Sequence, residues 1–342
     1  MVETFHNFPE PVANKIRRAL YYSNIELDPK RAINYYKQAL DLANDLGMDP
    51  FSAEIIGTKL QLAAFMEKIH QYEKAIQVLE IIRVDCLKWI GDGGSKPGRE
   101  ADRNRVLNKV VAISLRLGEL YSNKHVKEDE EAERNLVLAV ETMLKETKRR
   151  EDEGIKEGEG QWMTNEEMGA TLESLADYYS TKSQHYLSTP LYIQALSLLL
   201  PPSNSSPQTT PPTPIPSCHT ITLMSNLSTS LLLQSPPSSF SPSTPSPSKA
   251  QQISSAQAWA QQAVETAKEI RGRGVRGEEG EECDRGCAVA MVNLGEMAIL
   301  EGDSEGARRW FGEGKRVAKA VGWMEGVERA REGEGRVGGG NG

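Results

Sequence analysis

Apolar residues along most of the chain recur three and four positions apart, and alternating runs are almost absent, so the pattern predicts amphipathic helices and no sheet. The helices fall into pairs at a spacing near 34 residues. In the clearest of these pairs a large apolar residue, a Leu three positions on, a small residue directly after it and an aromatic or aliphatic residue mark the first helix. An Ala, a large residue and a second small residue mark the second. The clearest unit sets Met291, Leu294, Gly295 and Ala298 before Ala307, Phe311 and Gly314. Leu172, Leu175, Ala176 and Tyr179 precede Ser188, Tyr192 and Ala195 in the same way, as Leu62, Ala63 and Met66 precede Ala75, Leu79 and Ile82. The first unit runs Ile16, Ala19, Leu20, Ser23, then Ala32, Tyr36, Ala39, with Asp28-Pro29 opening its second helix, where a missing proline donor costs nothing. Small residues let neighbouring backbones approach, and the large ones fill the space left.

Two further units carry insertions. Ser114, Leu117, Gly118 and Tyr121 precede Ala132, Leu136 and Ala139 slightly late, and Met224, Leu227, Ser228 and Leu231 precede Ala256, Ala260 and Ala263 much later. Lengthening a turn from about 3 to about 19 residues costs only roughly 1.6 kcal/mol by loop-closure scaling, so the pair survives it. The spacing resembles the tetratricopeptide (TPR) pattern. The expected fold is all-α, a right-handed TPR-type solenoid of about six helix pairs with a disordered Ser/Thr/Pro-rich insertion. Repeats one to four are expected over 12–200, a linker over 201–217, repeats five and six over 218–322 with a disordered insertion at 235–250, and a short capping helix with a disordered Gly-rich tail over 323–342.

Composition sharpens the boundaries. Of 18 prolines, twelve lie within 201–250, in two Ser/Thr/Pro tracts that cannot bury enough apolar surface to offset chain entropy. A helical island, Ile221–Leu233, separates them. Lys145–Gly160 mixes both charge signs and ends in glycine, which reads as a fraying helix end and a solvated loop. From Arg271 onward lie 18 of the 29 glycines, and each inside a helix costs about 1 kcal/mol relative to Ala, so that end is expected to fray first.

A content of 38% hydrophobic and 26% charged residues suits a folded chain. Lys+Arg 40 against Asp+Glu 48 gives a net charge of -8, an acidic surface that repels phosphate backbones, so nucleic acid is not an expected partner. Four cysteines, Cys86, Cys218, Cys283 and Cys287, are sparse, which argues against a disulfide framework and for a reducing or indifferent compartment. Neither the Cys283/Cys287 spacing nor Cys218-His219 matches a paired zinc motif, and no metal is expected. His70, His125 and His185 fall near inter-helix turns and read as exposed. No nucleophile elbow, phosphate-cradling loop or H-E-x-x-H appears, so neither catalysis, a cofactor nor a small-molecule substrate is expected. The longest apolar stretch, Tyr186–Leu200, is broken by Ser188, Thr189, Pro190, Gln194 and Ser197, so the chain reads as soluble. Met1–Pro11 carries neither a secretory signal nor an Arg-rich presequence.

What such repeats offer is a concave groove lined by the first helix of each pair. The groove-facing positions are Arg17, Leu60, Leu115, Glu173, Ser225 and Val292 in one row, and Tyr21, Ala64, Glu119, Asp177, Thr229 and Glu296 in the next. The N-terminal half is apolar with basic character and the C-terminal half acidic. Asn226 and Asn293 occupy matching positions of the last two repeats, where an amide can donate to and accept from a peptide backbone; each can equally bond a neighbouring helix. The Lys-and-Asn clamp by which some repeat proteins hold chaperone C-termini is missing from the first three repeats.

The run PEPVANKIRRALYYSNIELDPKRAINYYKQALDLANDLGMDPFS, followed by KLQLAAFMEKIHQYEKAIQVLE, resembles the fungal mitochondrial TPR proteins that serve as substrate adaptors of the i-AAA protease. The likeness is strongest over residues 8–90 and agrees in repeat layout to about residue 322. It includes non-consensus residues such as Arg17-Arg18-Ala19-Leu20-Tyr21-Tyr22. The resemblance implies an inner-membrane protein with its repeats in the intermembrane space, binding unfolded polypeptide clients and passing them to the protease. This sequence shows no membrane anchor, so membrane association is expected only through a partner or a missing anchor. The resemblance supplies no catalytic residue.

Overall fold

The computed structural model describes residues 7–94, 96, 98–200, 217–235 and 248–338. The linker expected at 201–217 and the insertion at 235–250 therefore lie almost wholly outside the described residues, as does the tail beyond 338. The described residues form thirteen helices and no strand. The chain divides into two compact units, Met1–Trp162 and Met163–Gly342.

The first unit holds α1 (Glu10–Asn24), α2 (Pro29–Asp45), α3 (Ala53–Lys68), α4 (Tyr72–Asp92), α5 (Glu100–Ser122) and α6 (Asp129–Glu153). The second holds α7 (Asn165–Thr181), α8 (His185–Leu199), α9 (Cys218–Leu233), α10 (Lys249–Gly272), α11 (Glu278–Glu301), α12 (Ser304–Ala320) and α13 (Met324–Gly338). Polar side chains set several starts by taking up orphan N–H groups. Asp28 accepts from the Arg31 amide ahead of α2, with Pro29 at the first helical position. Thr164 with Glu167 and Ser248 with Gln251 form reciprocal capping boxes on α7 and α10.

Four of the turns inside the pairs share one backbone feature. His70, Lys127 and Ser183 have φ of 58°, 56° and 59°, and Gly302 has 79°, each in the tight turn between a first and a second helix. A residue with a Cβ is strained there, and only glycine adopts this region freely. Ser183→Gly is therefore expected to raise the stability of the second unit by up to about 1 kcal/mol, part of the relief being offset by the more flexible unfolded chain. A melting temperature unchanged or lowered would count against stored strain at this turn.

The small-to-large logic of the pattern is visible in the packing. A Cβ at Gly118 would lie 2.5 Å from Leu136 Cγ, so α5 and α6 close on each other only because position 118 lacks one. Phe311, fully buried, is gripped from two sides: a Cβ at Gly295 on α11 or at Gly333 on α13 would fall 2.7 Å or 2.4 Å from its ring. Several glycines of the C-terminal part are thus contact points inside helices, while others, Gly272 and Gly335 among them, meet nothing. The capping helix, expected at Trp323–Arg331, runs from Met324 to Gly338.

A correction concerns part of Lys145–Gly160: residues 151–158 are exposed as expected, but two of the glutamates are not solvated. Helix α6 runs on to Glu153, and the segment after it is pinned. Glu146 and Glu159 are each only 3% exposed. Glu146 pairs with Arg103 of α5 at 2.9 Å, Arg149 at 2.6 Å and Arg150 at 3.1 Å, while Glu159 meets Arg149 at 2.5 Å. Asn104 donates to the carbonyls of Glu159 and Gln161, and Trp162 donates its indole N–H to Thr147 while Arg150 stands over its ring. Burying that many charges is tolerated only because each finds a partner.

Candidate polypeptide-binding faces

In the first unit, α1, α3 and α5 present the expected groove residues. Lys68 of α3 donates to the Ser23 carbonyl at 2.7 Å, tying α3 to α1. Arg116 of α5 pairs with Glu67 of α3 and with Glu119 on its own helix. Arg116 and Glu67 are absent from the expected rows, although Arg116 sits beside Leu115 and three residues before Glu119, a spacing that marks the pair in sequence. Between α3 and α5 lies a cleft of about 530 Å³ lined by Ala64, Glu67, Lys68, Tyr72, Arg116 and Glu119. Glu119 is exposed there, and Leu60 and Leu115 are half-buried. Tyr21 is 43% exposed. Arg17 is exposed but engaged, with Glu10 and Asn14 both at 2.9 Å.

In the second unit, α7, α9 and α11 carry the acidic face, and most of it is already paired. Glu173 lies 2.8 Å from His219 Nε2, and Glu282 of α11 lies 3.8 Å from the other ring nitrogen. The Glu173 contact holds the His219 pKa above its usual value, against the opposing effect of burial. Asp177 keeps an exposed edge yet accepts from the Tyr192 hydroxyl. Burial of its inner side pushes its pKa up to about 6, with Glu173 adding to that and the Tyr192 bond and His219 opposing it. Asn226 is half-buried, its amide 3.5 Å from Asp177.

Four expectations are corrected here, the first being that Ser225 and Val292 face a groove, since they are 1% and 2% exposed. Asn293 is 5% exposed and donates to the Ser225 carbonyl at 3.2 Å and the Thr229 hydroxyl at 2.9 Å, so its amide joins α11 to α9 and is spent on packing. Glu296 is ion-paired with Arg336 of α13 and is not a free acceptor. His185 is buried at 7% exposure, and burial lowers its pKa; His70 and His125 are exposed as expected, His125 stacked on Tyr72.

The cysteines depart furthest from the sequence reading. Cys218 at the start of α9 and Cys283 in α11 form a disulfide across 65 residues, which also removes both from any metal site. The helices approach closely there: a Cβ at Gly286 would lie 3.0 Å from the Ile221 side chain, and the Ser225 hydroxyl donates to the Gly286 carbonyl at 3.2 Å. Cys86 and Cys287 are free and buried, their thiol pKa values pushed up to about 11 by burial. Among the described residues no group of three or more His, Cys, Asp or Glu side chains is placed to hold a metal ion, and no helix is long and apolar enough to cross a membrane.

No family model matches the chain. A TPR repeat-containing protein of Schizosaccharomyces pombe is 25% identical over 318 residues, covering 92% of this chain and 74% of the relative. The likeness is to tetratricopeptide-repeat proteins. Among solved structures, kinesin light chain nearly identical TPR-like repeats from Podosopora anserina superpose with a TM-score of 0.45 at 14% identity, covering 78% of this chain and 96% of that one. BtubC (BKLC) from P. vanneervenii gives 0.46 at 16%, covering 78% and 93%. Independently of these likenesses, the chain's own helices pair so that a small residue on the first helix, as at Gly118 and Gly295, receives a large one from the second.

Proposed function

We propose that the chain is a non-enzymatic adaptor that binds extended or unfolded polypeptide segments on the first-helix faces of its TPR-like pairs. One observation carries the reading: the cleft between α3 and α5 is open, of peptide-sized volume, and edged by Glu67, Lys68, Arg116 and Glu119 with apolar Ala64 and Leu120 at its wall. Such a surface offers apolar contact and charge without a reactive group. In the finer reading suggested by the family resemblance, the clients belong to mitochondrial protein quality control, and the chain delivers them to the i-AAA protease at the inner membrane. The Cys218–Cys283 bridge supports a compartment in which thiols are not held reduced, such as the intermembrane-space side.

A second reading has an observation of its own. Glu173, Asn293 and Glu296 in the second unit are already satisfied internally, which suits a rigid scaffold for defined folded subunits. The two separate on partner range: an adaptor binds many unrelated segments weakly, and a scaffold binds one or two proteins tightly. The test is titration of a panel of unrelated basic, apolar peptides into the full chain at low and high salt, beside Glu119→Lys. For the adaptor, affinities are expected to fall several-fold as salt rises past the screening range and to drop by about tenfold in the variant. Salt-independent affinities, equal in both proteins, would remove Glu119 and its cleft from the reading. Pull-down of purified i-AAA protease by the immobilised chain, with client transfer in the presence of ATP, tests the finer assignment.

A further inference from the structure

A second cavity in the first unit lies away from the expected rows. It has a volume of about 380 Å³, and its walls are Phe8, Ile16 and Leu20 of the α1 region, Tyr36 of α2, and Gly57 of α3, with Glu54 half-buried in the lining. That size falls at the small end of the range for ligand sites, enough for one large side chain and not for a cofactor. Water inside it finds few partners. The Thr58 hydroxyl donates back to the Glu54 carbonyl, Glu54 and Gln61 are the other polar chains of the lining, and the remaining wall is aliphatic or aromatic.

Gly57 is a separate clue. Glycine inside a helix is unfavourable relative to alanine, and where it persists a close contact or a left-handed turn normally explains it. Neither applies at this position, because a Cβ on residue 57 would meet no atom within 4 Å and its φ is not positive. The missing side chain widens the cavity and brings bare helix backbone to its wall.

The charge at the cavity selects among occupants. The only side chain of its lining that is charged at neutral pH is Glu54, which accepts from the Asn7 side-chain amide at 2.8 Å. With no cation in the lining, an anionic ligand such as a fatty-acid carboxylate would face a like charge. An apolar group flanked by positive charge would bury its body in the cavity and leave its cations near Glu54.

We infer that this cavity seats one aromatic or large aliphatic side chain of a bound polypeptide whose neighbouring residues are lysine or arginine. The inference rests on the polypeptide-binding reading above and adds a sequence preference to it.

The probe is a fluorescein-labelled Gly-Ser-Lys-Phe-Lys-Ser-Gly peptide, titrated by anisotropy into the full chain beside two peptides in which Phe becomes Ala or both Lys become Glu. Both altered peptides are expected to bind at least about tenfold more weakly, the scale of burying one large apolar side chain. Gly57→Leu fills the cavity without a clash at Cβ, so it is expected to lose the Phe peptide to a similar extent while its melting temperature holds or rises. Gly57→Ala is a milder version should Leu disturb folding, and Glu54→Lys is expected to shift the preference toward the Glu-flanked peptide. If wild type binds the Phe peptide and both Gly57 variants bind it equally well, the cavity is not the seat, and the polypeptide-binding reading stands without it. If wild type binds the Phe and Ala peptides alike, the proposal also falls. If no peptide binds but the neutral dye N-phenyl-1-naphthylamine is taken up by wild type and lost in Gly57→Leu, the cavity holds free apolar molecules, and the side-chain assignment is overturned.

Discussion

Replacing Glu146 with alanine is expected to lower the stability of the first unit by about 3–5 kcal/mol, because Arg103, Arg149 and Arg150 would stay largely buried around a missing anion. The same network sets a pH dependence. Burial alone would raise the Glu146 pKa, but hydrogen bonds from Arg149, Arg103 and Arg150 outweigh it and hold the carboxyl at about 2. A glutamate in the unfolded chain titrates near about 4.3. The folded value is the lower one, so the contribution is fully present above that pH and is lost as pH falls from there toward about 2. Hydrogen exchange of the α5 and α6 amides, compared at neutral pH and at pH 3, reads this directly. Wild type is expected to lose protection on acidification, and Glu146→Ala to show the loss already at neutral pH. Equal protection in the two proteins at neutral pH would mean that the arginines find other partners and that Glu146 is dispensable.

The second large effect is expected at the disulfide. Closing 65 residues restricts the unfolded chain by about 4 kcal/mol in the loop-entropy description, so Cys283→Ser, or reduction of wild type, is expected to destabilise the second unit by about 2–4 kcal/mol. Cys287→Ser, one turn further along α11, changes a buried thiol that bridges nothing, and reduction should destabilise it as much as it does wild type. The measurement is thermal unfolding with and without a dithiol reductant. Coincident transitions for oxidised and reduced wild type would rule the bridge out as a stabilising element.

The repeat architecture was legible because its signals are local. Gly118 and Leu136, or Gly295 and Phe311, lie within one helix pair, so their spacing alone announces that two helices will meet there. The acidic and basic run after Lys145 gave the opposite impression. Its charge pattern is that of a solvated segment, and only the reach of Asn104 and Arg103 from α5 shows that Glu146 and Glu159 are interior. No periodicity within the run encodes that distance. The pairing of Cys218 with Cys283 was hidden for a related reason, since it depends on how closely α9 and α11 approach at Gly286. Among the candidate binding residues, Glu119 and Asp177 are exposed as their helical positions imply. Asn293 lies on the next position of the same stripe, and whether such a residue meets solvent or a neighbouring helix turns on a rotation of a few tens of degrees that residue types do not fix.

The covalent bond between α9 and α11 also changes the topology of the molecule. Residues 218 to 283, including all of α10, form a closed ring in the oxidised chain. A protease that cuts once anywhere within that ring opens it and severs nothing: both products stay in one molecule, with α10 still joined to its neighbours through one strand of backbone or the other. Such a nick would leave the mass on a non-reducing gel unchanged and appear as two fragments only after reduction. Clipping between α9 and α10 would therefore release no part of the second unit while the bridge is intact.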